Sequence, residues 1–294
     1  MQLSLNKIEN KIFDFFISDT SKKRVEKSVL IVSIISFLIH LLLIYVNKFG
    51  FIIINDPYNL LNNPISAIYT PFSFILIYEI YLLVYYLPRS ISTYISKQYE
   101  IITLIVIRRI FKNISNFNVE SNLLSNNNIN IFMDLVAAII LFFLIYLFRR
   151  FSIKSNTNSN KVNLNKFIRI KKWISSLLIP SLIILGVVNF SLWIYFIDEY
   201  SLNLSSINNI FFDEFFQLLI LVDVLLLIIS FFNSDAFHII IRNSGFIIST
   251  ILIRVSFMAE GIMNIILIMG SVSFGLFILL IYNECEKKNL FRIN

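Results

Sequence analysis

The chain has 294 residues, of which 57% are hydrophobic and 15% charged, with a formal net charge of +7. Apolar runs recur from Val29 onward, which leaves no room for a large soluble domain and places the chain among polytopic membrane proteins. Cys285 is the single cysteine, which excludes a disulfide framework and a thiol metal cluster. The distribution of the basic excess argues for membrane orientation rather than nucleic-acid binding.

Residues 1–27 carry Ile8, Ile12, Phe13, Phe15 and Phe16 among lysines and acidic residues. They read as a cytoplasmic arm lying on the membrane surface, with docking of a partner as the alternative. A cleavable signal is not expected, because the first apolar run begins near residue 28, follows a charged stretch and has no small-residue cleavage pattern.

A spanning helix needs about 20 mostly apolar residues. In chain order the expected spans are 28–47, 65–87, 90–112, 130–149, 173–197, 215–233, 237–257 and 262–282. Two of these are ambiguous. Residues 237–257 contain His238, Arg242 and Arg254. Residues 90–112 contain Lys97, Glu100, Arg108 and Arg109, and taken alone they read equally well as an interfacial helix.

A repeated charge pattern resolves the ambiguity. Glu79 is followed after eighteen residues by Lys97, and after twelve more by Arg109. Asp223 is followed after nineteen residues by Arg242, and after twelve more by Arg254. Residues 90–112 therefore align with 237–257, and the two should share a fate. The expected fold is an all-α integral membrane protein of eight transmembrane helices, built as two parallel four-helix repeats. Residues 28–149 form the first repeat and 173–283 the second. A basic cytoplasmic linker, 150–172, joins them, and 284–294 form a cytoplasmic tail. An even number of spans per repeat gives both copies the same orientation. It also puts eighteen basic residues inside and only Lys48 and Lys112 outside, as expected for a plasma (inner) membrane protein with both termini cytoplasmic. The linker's charge suits anionic inner-leaflet lipids. Membrane lipids are thus the expected partners, a homo-oligomer is allowed for, and nucleic acid is not expected.

Ionisable groups inside a bilayer are costly and are usually paired or functional. With about 1.5 Å of rise per residue, Glu79 and Lys97 lie at similar depths, and Glu100 is one turn from Lys97. Asp223 is expected to meet Arg242. Asp134 is expected near Arg108 or Arg109, and Glu260 near Arg254. The candidate network is Glu79, Lys97, Glu100, Arg108, Arg109, Asp134, Asp223, His238, Arg242 and Arg254. Two readings of it stand: pairs that fix helix packing and register, or an ion, proton or voltage-responsive path. Basic residues twelve apart do not form a voltage-sensor helix, which carries one at every third position. His40 reads as a neutral interhelical hydrogen-bond partner. Pro71 and Pro180 are expected to kink their helices. Trp173 and Trp193 are placed as interface anchors.

The run FFNSDAFHIIIRNSGFIISTILIRVSF, preceded by Asp223, sets an acidic residue before Phe237-His238, Arg242, Thr250 and Arg254. Over about residues 215–285 this resembles the phosphate-starvation-inducible E family of bacterial inner-membrane proteins. The first copy is similar in kind through Glu79, Lys97 and Arg109, with Thr93 where His238 stands and Ile105 where Thr250 stands. That family is usually a single four-span unit. The resemblance implies an inner-membrane protein linked to phosphate limitation.

There is no Walker-type loop, G-x-G-x-x-G, His-Glu-x-x-His or Cys/His cluster. No enzyme activity, cofactor or metal is expected. Two functions are carried forward: a small transporter or ion conduit with its pathway near the repeat interface, and a non-transporting scaffold or stress-linked accessory protein.

Overall fold

The computed structural model describes residues 13, 15–50, 61, 63–114, 126–152, 161–196, 204–232, 237–259 and 261–287. Expectations for the arm up to residue 12, for the polar tract Ser155–Asn160, for Glu260 and for the tail beyond 287 fall outside the described residues. So do those for the loop segments 115–125 and 197–203, and for the side chain of Trp193.

The described residues are helical throughout, apart from turns. The long helices are α1 (Asp19–Lys48), α2 (Tyr69–Tyr86), α3 (Ile91–Ile114), α4 (Asn126–Ser152), α5 (Lys161–Phe196), α6 (Leu204–Phe232), α7 (Phe237–Phe257) and α8 (Gly261–Lys287). A 3₁₀ turn, Pro64–Ile68, leads into α2. Among the described residues, seven helical segments are long and apolar enough to cross a membrane: Asp19–Lys48, Pro64–Tyr86, Ile129–Ser152, Ile168–Val188, Glu214–Phe231, Phe237–Phe257 and Gly261–Lys287. By length and composition the chain is a multi-pass membrane protein. Helix α3 is long enough but is not among the seven, because its 24 residues include Lys97, Glu100, Arg108, Arg109 and Lys112. Most of its residues between Tyr94 and Ile110 are nonetheless buried, with Ile95 and Tyr99 at 0% exposure, while Leu104 is exposed.

The chain divides into two compact units that interleave along the sequence. Unit 1 is Met1–Tyr85 with Thr103–Ala138, and unit 2 is Tyr86–Ile102 with Ile139–Asn294.

In unit 1, α1 begins where Ser18 accepts the Ser21 amide at 3.1 Å, with Asp19 in the first turn. A tyrosine ladder on α2 fastens this end. Tyr78 donates to Glu26, Tyr81 to the Phe16 carbonyl and Tyr85 to Asp19. Spacings of three and four residues put the three rings on one helix face, where Tyr78 stacks on Tyr81 at 6.3 Å and Tyr81 meets Tyr85 in a tilted contact at 6.1 Å. Farther along, His40 shares a 2.8 Å hydrogen bond with Thr70, so it links α1 to α2. Pro71 has no amide hydrogen to offer the Ala67 carbonyl, and the Thr70 hydroxyl supplies the donor at 3.0 Å. Elsewhere α1 is largely uncovered, with Ile34, Leu38 and Leu42 more than half exposed. That surface suits lipid rather than water.

In unit 2, α7 packs most extensively on α8, while α6 packs on α7 and α5 on α6. Small residues allow the α7–α8 approach, among them Ser249, Ser256, Ser271 and Gly275, all buried. The Ser249 hydroxyl donates to the Ser271 carbonyl at 2.7 Å, and the Asn264 amide to the Ser256 carbonyl at 2.5 Å. Tyr99, Phe148 and Phe246 form an aromatic cluster with centroids 5.0 and 5.6 Å apart. Pro180 lies inside α5.

Candidate intramembrane charge network

Unit 2 holds a closed network around Asp223, which is fully buried. Its Oδ2 accepts from the Arg254 guanidinium, and from the Thr250 hydroxyl at 2.8 Å. Its Oδ1 accepts from the Tyr94 hydroxyl at 3.0 Å. Arg254 is 1% exposed and donates as well to the Leu219 carbonyl at 2.8 Å and to the Tyr94 oxygen at 3.0 Å. Each carboxylate oxygen therefore has a donor, and Arg254 bridges Asp223 and Tyr94. Its Nε is buried with no hydrogen-bond partner among the described residues. Lys171 is also buried. Its Nζ donates to the Arg89 carbonyl at 3.2 Å and lies 5.9 Å from the Tyr94 ring centroid. This lysine was expected among the surface charges of the linker. The helical periodicity of α5 turns it inward instead, while Arg169 stays exposed.

Among the described residues, unit 1 holds two pairs on α3. Arg109 grips Asp134 with both arms of its fork, Nε to Oδ2 at 3.0 Å and Nη2 to Oδ1 at 2.5 Å. Arg108 Nη1 lies 3.2 Å from Glu79 Oε2 and donates to the Phe72 carbonyl at 3.3 Å. Glu79 is 3% exposed, and its Oε2 has no aligned hydrogen-bond donor among the described residues. Charge proximity is present here, but directed bonding is not.

Toward the other end of α3, in unit 2, Lys97 Nζ meets Glu100 Oε2 at 2.6 Å, and Arg149 Nε lies 3.4 Å from Glu100 Oε1. These groups are partly exposed. Arg242 sits 4.5 Å from the Tyr282 ring centroid and bonds to Asn243 Oδ1 at 3.2 and 3.3 Å. The His238 ring stacks on the same tyrosine at 5.8 Å.

Two expected pairings are replaced. Glu79 pairs with Arg108, where Lys97 was expected, and Asp223 pairs with Arg254, where Arg242 was expected. The reason is the lean of helical side chains. Each Cα–Cβ bond tilts toward the helix N-terminus, and long side chains lie over the preceding turn. In a hairpin the acid on the incoming helix therefore leans away from the connecting turn, and the base on the outgoing helix leans toward it. They converge only when the base starts farther from the turn than the acid. Arg108 and Arg254 lie seventeen residues past the starts of α3 and α7, whereas Glu79 and Asp223 lie seven and nine residues before the ends of α2 and α6. Lys97 and Arg242, only six and five residues in, lean away from the acids. The expected Lys97–Glu100 contact and the Asp134–Arg109 alternative are both present.

No family model, curated protein or solved structure matches this chain.

Among the described residues, no group of three or more His, Cys, Asp or Glu side chains could hold a metal ion. The chain is a polytopic helical membrane protein with buried intramembrane salt bridges. Sequence reasoning missed Tyr94 and Lys171 in the unit 2 network, and Tyr99 and Ser249, whose hydroxyls share a 2.7 Å hydrogen bond. The spacing of Tyr94 and Tyr99 within the charged helix was the available signal.

Proposed function

We propose that the chain is a small transporter or ion conduit of eight spans, with α3 as the eighth. Two parallel four-helix repeats, α1–α4 and α5–α8, lie in a plasma membrane with both termini cytoplasmic. The observation that carries this reading is α3 itself, a helix with five charged residues in 24, in which most residues between Tyr94 and Ile110 are buried. A charged helix screened from lipid by apolar neighbours is where membrane proteins place pathways for ions and polar substrates. Its pairs stand at two levels, Lys97–Glu100 near one end and Arg108–Glu79 with Arg109–Asp134 farther along. Their separation is about 17 Å by helical rise, enough to bridge much of a bilayer core. The repeat is supported by the shared offset of Arg108 and Arg254 within their hairpins.

The test is flux or current in reconstituted vesicles under an imposed potential. Wild type should conduct, and Glu79→Gln should lower the flux while folding is retained. No flux under any potential or pH gradient would end this reading. The scaffold reading would then stand, with the accessory role in phosphate limitation that the family resemblance implies. It is favoured by the donors that hold both oxygens of buried Asp223: Arg254 and Thr250 on Oδ2, and Tyr94 on Oδ1.

A further inference from the structure

We propose that Glu79 is a proton-binding site and that proton uptake there releases Arg108. The inference rests on the conduit reading for its purpose, since it names the proton as the coupled ion, but the binding event is testable by itself. The geometry of unit 1 carries it. Glu79 is buried, so its charge has lost water. The compensation it receives is incomplete: Arg108 Nη1 is near but misaligned, and its directed bond goes to the Phe72 carbonyl rather than to Glu79 Oε2. A buried acceptor without a donor is an uncommon state that calls for an explanation. A proton is the smallest ligand that removes the defect, because it turns the unsatisfied carboxylate into a neutral acid with a donor of its own.

The neighbouring charges support the assignment. On α3 the facing cations are Arg108 and Arg109, and on α4 the anion is Asp134, which Arg109 holds bidentately. On α1 the groups that bond to α2 are engaged elsewhere: Asp19 with Tyr85, Glu26 with Tyr78 and His40 with Thr70, while Lys22 lies 5.4 Å from the Tyr85 ring centroid. Among the described residues, unit 1 therefore has two arginines against two carboxylates at this level, one tightly held and one loosely. When the Glu79 carboxylate accepts a proton, the carboxyl group becomes neutral and no other bond breaks. Two arginines then face the single charge of Asp134, and Arg108 keeps only the Phe72 carbonyl. Arg108 becomes the group free to move, and α3 carries it.

The test is infrared spectroscopy of the full chain in lipid vesicles as pH is varied. A carbonyl band of a protonated carboxylic acid should appear on acidification. It should shift when glutamate alone is isotope-labelled, and it should be lost in Glu79→Gln but kept in Asp134→Asn. Glu79→Asp should restore a band at a shifted midpoint, and the label shift provides the assignment if Glu79→Gln fails to fold. A band absent from wild type, or one that persists in folded Glu79→Gln, overturns the proposal. A Glu79-dependent band without vesicle flux would keep the proton site and remove the conduit. Flux that ignores a pH gradient, with no such band, would do the reverse.

Discussion

The Asp223–Arg254 pair of unit 2 and the Glu79–Arg108 pair of unit 1 use the same residue classes at matching steps of a helical hairpin, yet they are bonded differently. Asp223 receives a guanidinium, a threonine hydroxyl and a tyrosine hydroxyl. Glu79 has one misaligned arginine, and its Oε2 has no hydrogen-bond donor among the described residues. The tyrosine makes much of the difference, since Tyr94 closes the unit 2 network by bonding to both the acid and the arginine. A buried pair whose carboxylate has a donor on each oxygen resists change, whereas one held by proximity alone is nearly balanced against its desolvation cost. The first suits a fixed joint and the second a group that changes state.

The largest effect expected on this contrast comes from Asp223→Asn, which leaves Arg254 buried without its counter-charge and should cost about 3–5 kcal/mol. Glu79→Gln should cost less than about 2 kcal/mol, because little directed bonding is lost. Unfolding in mixed detergent micelles measures both, and equal losses would erase the distinction between a fixed and a loose pair. Next in size is Gly275→Ala. Its new Cβ would lie 1.8 Å from the Tyr99 hydroxyl oxygen and 3.1 Å from Ser249 Oγ. Overpacking of this kind costs about 1–3 kcal/mol. Tyr99→Phe in the same chain should recover much of the loss, which a double-mutant cycle reads as coupling. Additive losses would show that the Tyr99 hydroxyl is not what excludes the methyl group. The smallest effect should be that of Lys97→Gln, at about 1 kcal/mol or less. Lys97 and Glu100 are both about a quarter exposed, at 27% and 26%. A stability loss rivalling that of Asp223→Asn would mean that this end of α3 is as tightly built as the Asp223 network.

The seven apolar helices were legible because about twenty apolar residues in a row leave few alternatives. The charged residues were legible as a set, since each stands out against an apolar background. The pairings Lys97–Glu100 and Arg109–Asp134 were legible too, but the partners of Glu79 and Asp223 were not, because depth was counted from Cα positions while the side chains lean by about a turn. That correction turns Arg254 toward Asp223 and Arg108 toward Glu79, and it could have been applied to the sequence. Lys171 was hidden for another reason: it lies in a run of basic residues, and only the helix phase of α5 separates it from exposed Arg169. The role of Gly275 had no sequence signal at all, since it depends on Tyr99 arriving from another helix.

On the eight-span reading, the burial of α3 also bears on how the protein is made. A lone arginine or lysine at mid-bilayer costs about 2.5–3.5 kcal/mol on insertion, so α3 is poorly suited to leave the translocation machinery by itself. Its partner Glu79 has already been synthesised when Arg108 emerges, but Asp134 follows Arg109 by 25 residues. Arg109 therefore has to be sheltered until α4 is complete, and α2, α3 and α4 enter the lipid as one cohort. Biogenesis of the first half is then a single cooperative event rather than a sequence of independent spans.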